Sequence, residues 1–259
     1  EVRGSGYNDT LTGSDNASFE SFIGDKGNDL MDGRGGWDRA NYQYSSTGVV
    51  VNLSENTASR DGVLISGTGT SAVYGVDTLY NVEEVRGSEF ADILTGDALA
   101  NTLEGRGGDD SLLGGDGADK LYGGSGNDTL DGGIQAIRPD TANANNDYDW
   151  AIYESESSPV LVKLGSDGTA GTAQGLTIGV DRLINIERVV GTKFGDMIYG
   201  SDRAVNEVLR GTGGDDTLSG GTGTGTDLGL NLVDYWAAPG SVTVDLLQGR
   251  AWGADGNDV

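Results

Sequence analysis

The chain has 259 residues and a formal net charge of −25, with 46 Gly, 3 Pro and neither Cys nor His. Without Cys there are no disulfides or thiolate metal sites; without His the usual general base and the usual transition-metal ligand are missing. The acidity speaks against nucleic acid as a partner, and no apolar stretch approaches the roughly 18 residues of a membrane-spanning helix.

The first stretch opens with Glu1-Val2-Arg3-Gly4-Ser5 and runs into glycine-led segments. Asn8-Asp9-Thr10-Leu11, Gly24-Asp25-Lys26-Gly27-Asn28-Asp29 and Gly33-Arg34-Gly35-Gly36-Trp37-Asp38 each set a carboxylate at the end of a polar or glycine-rich turn. Between them, Gly13 to Ile23 is eleven residues long and carries Ser18 near the carboxylate position. Tyr42 follows, then a β-like run from Val49 to Leu53 and a closing segment, Asp77-Thr78-Leu79-Tyr80-Asn81-Val82-Glu83.

The opening motif returns as Glu84-Val85-Arg86-Gly87-Ser88 and introduces the most regular part of the chain. Five nine-residue units run without a gap from Gly87 to Asp131: GSEFADILT, GDALANTLE, GRGGDDSLL, GGDGADKLY and GGSGNDTLD. The first residue is always Gly. The sixth is Asp92, Asn101, Asp110, Asp119 and Asp128, and the eighth is Leu94, Leu103, Leu112, Leu121 and Leu130. An insertion, Ala136 to Asp147, is expected to be a surface loop. Trp150, Tyr153, a run from Val160 to Leu164 and the closing segment Asp181-Arg182-Leu183-Ile184-Asn185-Ile186-Glu187 complete this copy.

A looser third copy begins at Arg188-Val189-Val190-Gly191-Thr192 and continues through Gly195-Asp196. Gly200 to Arg210 is again eleven residues long, and Gly211-Thr212-Gly213-Gly214-Asp215-Asp216 restores the pattern. Tyr235 and a run from Val242 to Leu246 follow, and the sequence stops at Asp258-Val259, where a closing segment would begin. The long period divides the chain into three repeat units, 1–83, 84–187 and 188–259, with the nonapeptides most regular over 87–131. The third unit is taken as truncated, and the chain as a window on a longer array.

The nine-residue period has a direct chemical reading. Gly permits a tight turn whose carbonyls point inward. The sixth-position Asp adds a carboxylate to those oxygens, and hard oxygen ligands in numbers suit Ca²⁺, which takes 6–8 of them. The last residues of each unit are extended, with the eighth side chain in the core. One coil takes two units, so units two apart stack on the same edge with calcium between their turns. Leu, Ile, Val and Phe make up only about 22% of the residues, near the range of disordered chains. Such a chain should not collapse unaided, and several bound ions would turn binding energy into folding energy.

With these units in view, the chain resembles the repeats-in-toxin (RTX, hemolysin-type) family, whose GGxGxDxUx nonapeptides form a calcium-loaded parallel β-roll. The resemblance implies an all-β fold: a parallel β-roll or β-helix solenoid with longer β inserts. It also implies ion ligands. In the family, an ion takes the second- and fourth-position carbonyls and the sixth-position Asp of one turn. From the turn two units later it takes the first- and third-position carbonyls and the sixth-position Asp. Carried over, one ion would use Arg106, Gly108 and Asp110 with Gly123, Ser125 and Asp128. A second would use Ser88, Phe90 and Asp92 with Gly105, Gly107 and Asp110. A third would use Asp97, Leu99 and Asn101 with Gly114, Asp116 and Asp119, where Asn101 departs from the pattern by offering a neutral oxygen. Ser5, Tyr7 and Asp9 could share an ion with Gly24, Lys26 and Asp29, and Thr192, Phe194 and Asp196 one with Gly211, Gly213 and Asp216. Asp38, Asp149 and Asp227 are further candidates in turns whose register is broken by insertions.

The resemblance further implies a secreted bacterial protein, exported by a type I channel, whose partners are calcium and neighbouring repeat units of the same chain or filament. No catalytic apparatus is visible. Asp109-Asp110 and Asp215-Asp216 lie in glycine turns, and Gly220 to Gly225 lacks the Lys of a phosphate loop. The leading functional expectation is a structural or adhesive segment of a surface filament, surface layer or adhesin stalk. The alternative is an accessory module of a carbohydrate-active enzyme that binds extracellular polysaccharide. Trp37, Tyr42, Tyr44, Trp150, Tyr153, Tyr235, Trp236 and Trp252 cluster around the inserts. They are expected to pack the inserts onto the roll rather than to stack on sugars.

Overall fold

The computed structural model describes residues 1–59, 75–133, 148–166, 169–202, 205–220, 231–245, 249–253 and 256–259. The insertion 136–147 and Asp227 lie outside the described residues. Those described form strands and no helix. The strands lie in a ten-stranded sheet, a thirteen-stranded sheet and a three-stranded sheet at the C-terminal end.

The nonapeptides build a two-sheet parallel roll. Successive units alternate between the sheets, so the chain returns to the same sheet after 18 residues. In the ten-stranded sheet Leu103 pairs with Leu121, flanked by Val85 and Ala151. In the thirteen-stranded sheet Leu94, Leu112 and Leu130 stand in register. These side chains are fully buried and belong to one continuous core. A buried Leu contributes about 1.5–3 kcal/mol. With one such residue per strand the core is thin, and much of the cohesion must come from the turns.

The β-like runs seen in the sequence open antiparallel meanders. In the first, Val50–Asn52, Thr57–Ser59 and Val76–Tyr80 lie side by side. Its first strand pairs in parallel with the later Ile93–Thr95, and its last with the earlier Leu30–Asp32. The chain thus runs ahead and then doubles back before resuming the coil. Val160–Lys163, Gly171–Gly175 and Gly179–Ile184 repeat the arrangement between Met197–Tyr199 and Thr129–Asp131. Val242–Asp245, Arg250–Gly253 and Gly256–Asp258 form a third meander, and Leu218 N–H donates to the Val259 carbonyl. Each meander in the thirteen-stranded sheet places three strands where a plain coil places one.

Tyr42 and Tyr153 are buried in the core cluster, and their hydroxyls donate to Asp77 Oδ2 and Asp181 Oδ2, both at 3.2 Å. The packing expectation for the aromatics therefore holds for these two. It does not hold for Trp236, which is 85% exposed, and Trp37 and Trp252 are also exposed. Trp150 is half-buried, with the Arg188 guanidinium 4.7 Å and that of Arg210 5.5 Å from its ring centre.

Candidate metal centre

The turns connecting the two sheets stack along both edges of the roll. On each edge, the residue two before the buried strand residue is a carboxylate or amide in every plain coil. Along one edge Asp92 N–H donates to Asp110 Oδ1 at 2.7 Å, Asp110 N–H to Asp128 Oδ1 at 2.8 Å, and Asp128 N–H to Asp181 Oδ1 at 3.0 Å. The same ladder joins Asp9, Asp29 and Asp77 before this stretch, and Asp196, Asp216 and Asp258 after it. It is interrupted where the meanders begin: Val49 and Val160 stand in the column and their N–H groups donate to Asp92 Oδ1 and Asp196 Oδ1. Along the other edge Asn101 N–H donates to Asp119 Oδ1, Asp119 N–H to Asp149 Oδ1, and Asp149 N–H to Glu187 Oε2.

The second carboxylate oxygen faces the first glycine of its own turn. A Cβ on Gly105 would collide with Asp110 Oδ2 and stand 2.7 Å from the Gly123 carbonyl oxygen, which comes from the next turn along the edge. Gly87, Gly4 and Gly191 show the same pairing, with Asp92 and Gly105, Asp9 and Gly24, and Asp196 and Gly211 respectively. Gly96 faces Asn101 Oδ1 and the Gly114 carbonyl. The fourth-position carbonyls project onto the following turn: Gly126 has φ of 144°, and a Cβ there would overlap the Gly108 oxygen. The Tyr7, Leu99 and Phe194 carbonyls meet Gly27, Gly117 and Gly214 in the same way, and the Phe90–Ala91 peptide lies against Gly108.

The five sets expected from the sequence thus fall on five pairs of adjacent turns, each linked by a backbone N–H to carboxylate bond. Some of the expected carbonyls carry hydrogen bonds. Ser125 O accepts from Gly108 N–H at 3.0 Å, Ser88 O from Gly107 N–H at 3.4 Å, Asp97 O from Asp116 N–H at 3.2 Å and Thr192 O from Gly213 N–H at 3.4 Å. Arg106 lies near the end of the strand Thr102–Gly107, paired with Gly124, with a φ of 86°. Lys26 sits in the turn that faces Tyr7. Asp38 accepts the Glu20 N–H on Oδ1 at 2.9 Å, and Asp149 takes the place of Asp128 on the opposite edge.

Several contacts were not legible as function. The hydroxyls of Ser5, Ser88 and Thr192 donate to Asp9, Asp92 and Asp196, which explains the Gly-Ser or Gly-Thr that opens each long-period copy. Fifth-position side chains form a parallel ladder: Asn8 Oδ1 accepts Asn28 N–H, and Asp109 Oδ1 accepts Asn127 N–H. In the eleven-residue turns the carboxylate is not near Ser18. Glu20 and Glu207 fill the place, accepting the N–H groups of Ser14 and Ser201. Counting back two residues from the buried Phe22 and Leu209 would have found both.

These carboxylates are buried without cationic partners. None of Asp38, Asp92, Asp110, Asp128, Asp181 and Asp196 forms an ion pair; the Arg pairs of the described residues engage other acids. The Oδ2 atoms of Asp38, Asp110 and Asp128 are buried and accept no hydrogen bond. Burial pushes the Asp110 carboxyl up to about 9, with Asp92, Asp128 and Asp109 adding repulsion against its hydrogen bond from Asp92. Burial likewise raises Asp181 to about 8 and Asp128 to about 6, and lifts Asp92 and Asp196 above the ordinary carboxylate range. An interior that collects negative charge and leaves carboxylate oxygens such as Asp110 Oδ2 and Asp128 Oδ2 without a donor fits a hard divalent cation.

The RTX calcium-binding nonapeptide repeat matches the chain in four copies, over residues 16–41, 86–121, 104–136 and 204–224. The chain carries RTX repeats. Such nonapeptides bind calcium, and the all-β parallel roll is the fold that they build. Among curated proteins no match is found. The RTX assignment and the donor set agree, so the chain is a calcium-binding repeat protein.

Proposed function

We propose that Ca²⁺ sits between stacked turns of this RTX roll and that the roll serves as a structural or adhesive segment of an extracellular bacterial protein. The buried carboxylates of Asp92, Asp110, Asp128 and Asp196, stacked along one edge and in no ion pair, carry the reading. Its ligands would be the sixth-position carboxylates and the turn carbonyls of the five sets named from the sequence, with Asp110 shared by two ions. Each ion neutralises two charges, so the compact fold depends on loading. The chain divides into units 1–83, 84–187 and 188–259, each ending on or within a meander, and serves as a repeated rod rather than as an enzyme. RTX repeats are typical of secreted bacterial proteins, which supports the extracellular placement. No helix among the described residues is long and apolar enough to cross a membrane.

A second reading, an accessory polysaccharide-binding module, is favoured by exposed Trp37, Trp236 and Trp252. Sugar-array binding of this chain in calcium and in chelator, with circular dichroism in the same buffers, separates the two. The structural role predicts calcium-dependent β signal and no saturable glycan. Saturable binding lost in Trp236→Ala would establish the second reading, and a β signal indifferent to calcium would overturn the proposed coupling.

A further inference from the structure

The half-buried arginines of this chain meet acids, with one exception. Among the described residues Arg39, Arg86, Arg106 and Arg210 each form an ion pair with a Glu or Asp. Arg188, also half-buried, forms none. Its Nε is buried and has no hydrogen-bond acceptor. The adjoining carboxylate, Glu187, is turned into the roll, where its Oε2 accepts the Asp149 N–H at 3.2 Å. Two rings hold the guanidinium in place instead, with its centre 4.8 Å from that of Tyr148 and 4.7 Å from that of Trp150. Burial pulls the Arg188 pKa below the ordinary arginine value, and Arg210 adds to the pull. A cation kept rigid and without a counterion is prepared for an anion from outside, since its ordering cost is already met.

The sheet gathers further groups around it. Lys120, Trp150 and Arg188 stand in register on three adjacent strands, each next to a buried residue: Leu121, Ala151 and Val189. All three side chains therefore face outward from the ten-stranded sheet. Lys120 is exposed and in no ion pair. Lys120 and Arg188 lie two strand spacings apart, about 10 Å. Arg210 stands over the same Trp150 ring at 5.5 Å and donates from Nε to Asp234 Oδ2 at 3.1 Å. The other Asp234 oxygen accepts the Trp236 N–H at 2.8 Å, and the Trp236 side chain lies in solvent. A chain of contacts thus runs from an unpaired cation through a tryptophan and a second arginine to an exposed indole.

We propose that Arg188 and Lys120, on the strands flanking Trp150, bind carboxylate or sulfate groups of an acidic polysaccharide, and that Trp236 stacks on a neighbouring sugar ring. The site rests on the polysaccharide reading above and gives an adhesive role a chemical target. The planar Arg188 guanidinium suits the two oxygens of one such group. Cations spaced along the sheet suit charges repeated along a polymer better than one small anion. The exposed indole favours a sugar over an acidic peptide, because the C–H face of a sugar ring lies flat on an aromatic ring. The surrounding acidity, which would repel a polyanion elsewhere on the chain, makes this patch the place where one can settle.

Calorimetric titration of the whole chain in calcium tests the site, with circular dichroism on the same samples. The probes are oligogalacturonate, which carries carboxylates, dextran sulfate, neutral dextran, and poly-glutamate, a polyanion without sugar rings. Saturable binding of one or both acidic sugars is expected, and which of them binds tells carboxylate from sulfate. Affinity should fall about tenfold or more in Arg188→Gln at unchanged β signal, as expected for loss of a charge-assisted contact. It should hold in Arg182→Gln, an exposed arginine on the thirteen-stranded sheet. Equal affinity in Arg188→Gln and the unaltered chain overturns the site, as does poly-glutamate binding as tightly as the sugars. If Arg188→Gln does not fold, Trp236→Ala decides: weaker binding of the acidic sugars supports the site and unchanged affinity overturns it. Binding of neutral dextran alone would overturn this site and leave the polysaccharide reading standing. Binding of no glycan at all would be the failure of that reading itself.

Discussion

A single residue, Asp110, shows why the turns suit a metal ion. Its carboxylate is buried, one oxygen is held by the Asp92 N–H and the other accepts nothing. Its neighbour Asp109 carries the same charge but points outward, where it accepts the Asn127 N–H at 2.8 Å on the exposed surface. Asp110→Ala removes a proposed ligand from two ions, whereas Asp109→Ala removes two exposed hydrogen bonds from Asn127, each worth about 0.5–1.5 kcal/mol at most. In calcium titrations followed by circular dichroism, the midpoint should move to higher calcium in Asp110→Ala, and much less in Asp109→Ala. Equal midpoints would mean that the ligand register is wrong. The phase of Asp110 was legible because nothing interrupts the nine-residue count around it. Glu20 was not, because a count forward from Gly13 lands on Ser18 once two residues are inserted. The buried residue at the far end of the turn, Phe22, is the steadier origin for counting.

At the scale of elements, the meanders and the tyrosines beneath them work together. The sequence marks Val160 to Leu164 as a strand through its alternating apolar residues. It gives little sign of Gly171–Gly175, whose buried positions are only Gly171 and Ala173. The pairing of that strand with both neighbours follows from hairpin geometry, which no nonapeptide count contains. Tyr153 stops the carboxylate ladder: its hydroxyl donates to Asp181 Oδ2, the oxygen that in Asp110 and Asp128 lacks any donor. A protein hydroxyl thus satisfies the last carboxylate of the run, which sits in the meander strand Gly179–Ile184. Tyr153→Phe should therefore cost about 1–3 kcal/mol through the lost bond to a buried carboxylate. The loss would be read as a lower thermal midpoint of the calcium-loaded protein with its β spectrum intact. A midpoint equal to that of the unaltered chain would show that the ladder does not end on the tyrosine. The aromatics were legible as a group but not one by one. Tyr42 and Tyr153 have a buried carboxylate to meet, whereas Trp236 follows Asp234 in an outer turn and stays in solvent.

For the whole molecule, the buried carboxylates link folding to protons as well as to calcium. Without metal, the folded chain holds Asp110 at about 9 and Asp181 at about 8, against an ordinary value of 3.8 for each when unfolded. The folded form therefore binds protons that the unfolded form releases, and the metal-free fold is most stable below about pH 4. That stability is lost as pH rises through the folded-state values. Lowering the pH from 8.5 to about 4.5 in chelator should raise the β signal or the thermal midpoint. In calcium, the same acidification should demand more metal for half-saturation, because protons compete for the same oxygens. A metal-free protein that loses β structure over this range would reject the linkage. The parallel roll and the calcium-binding character were both legible from the regular units 87–131. The unequal strand numbers of the two sheets were not, since they come from the meanders.

The way each meander runs ahead before doubling back also governs how the rod would yield to a pull. A plain coil of 18 residues is joined to its neighbour by one strand on each face. It can peel off alone, releasing up to about 60 Å of chain for about 5 Å of rod. The coil containing Ile93–Thr95 is different, because its outer neighbour is Val50–Asn52, a strand from much earlier in the chain. Tension applied to the early segment therefore reaches across the meander before Leu30–Asp32 and Val76–Tyr80 have parted. Three strands must give way together, so the meanders act as rip-stops that divide a long tear into short ones.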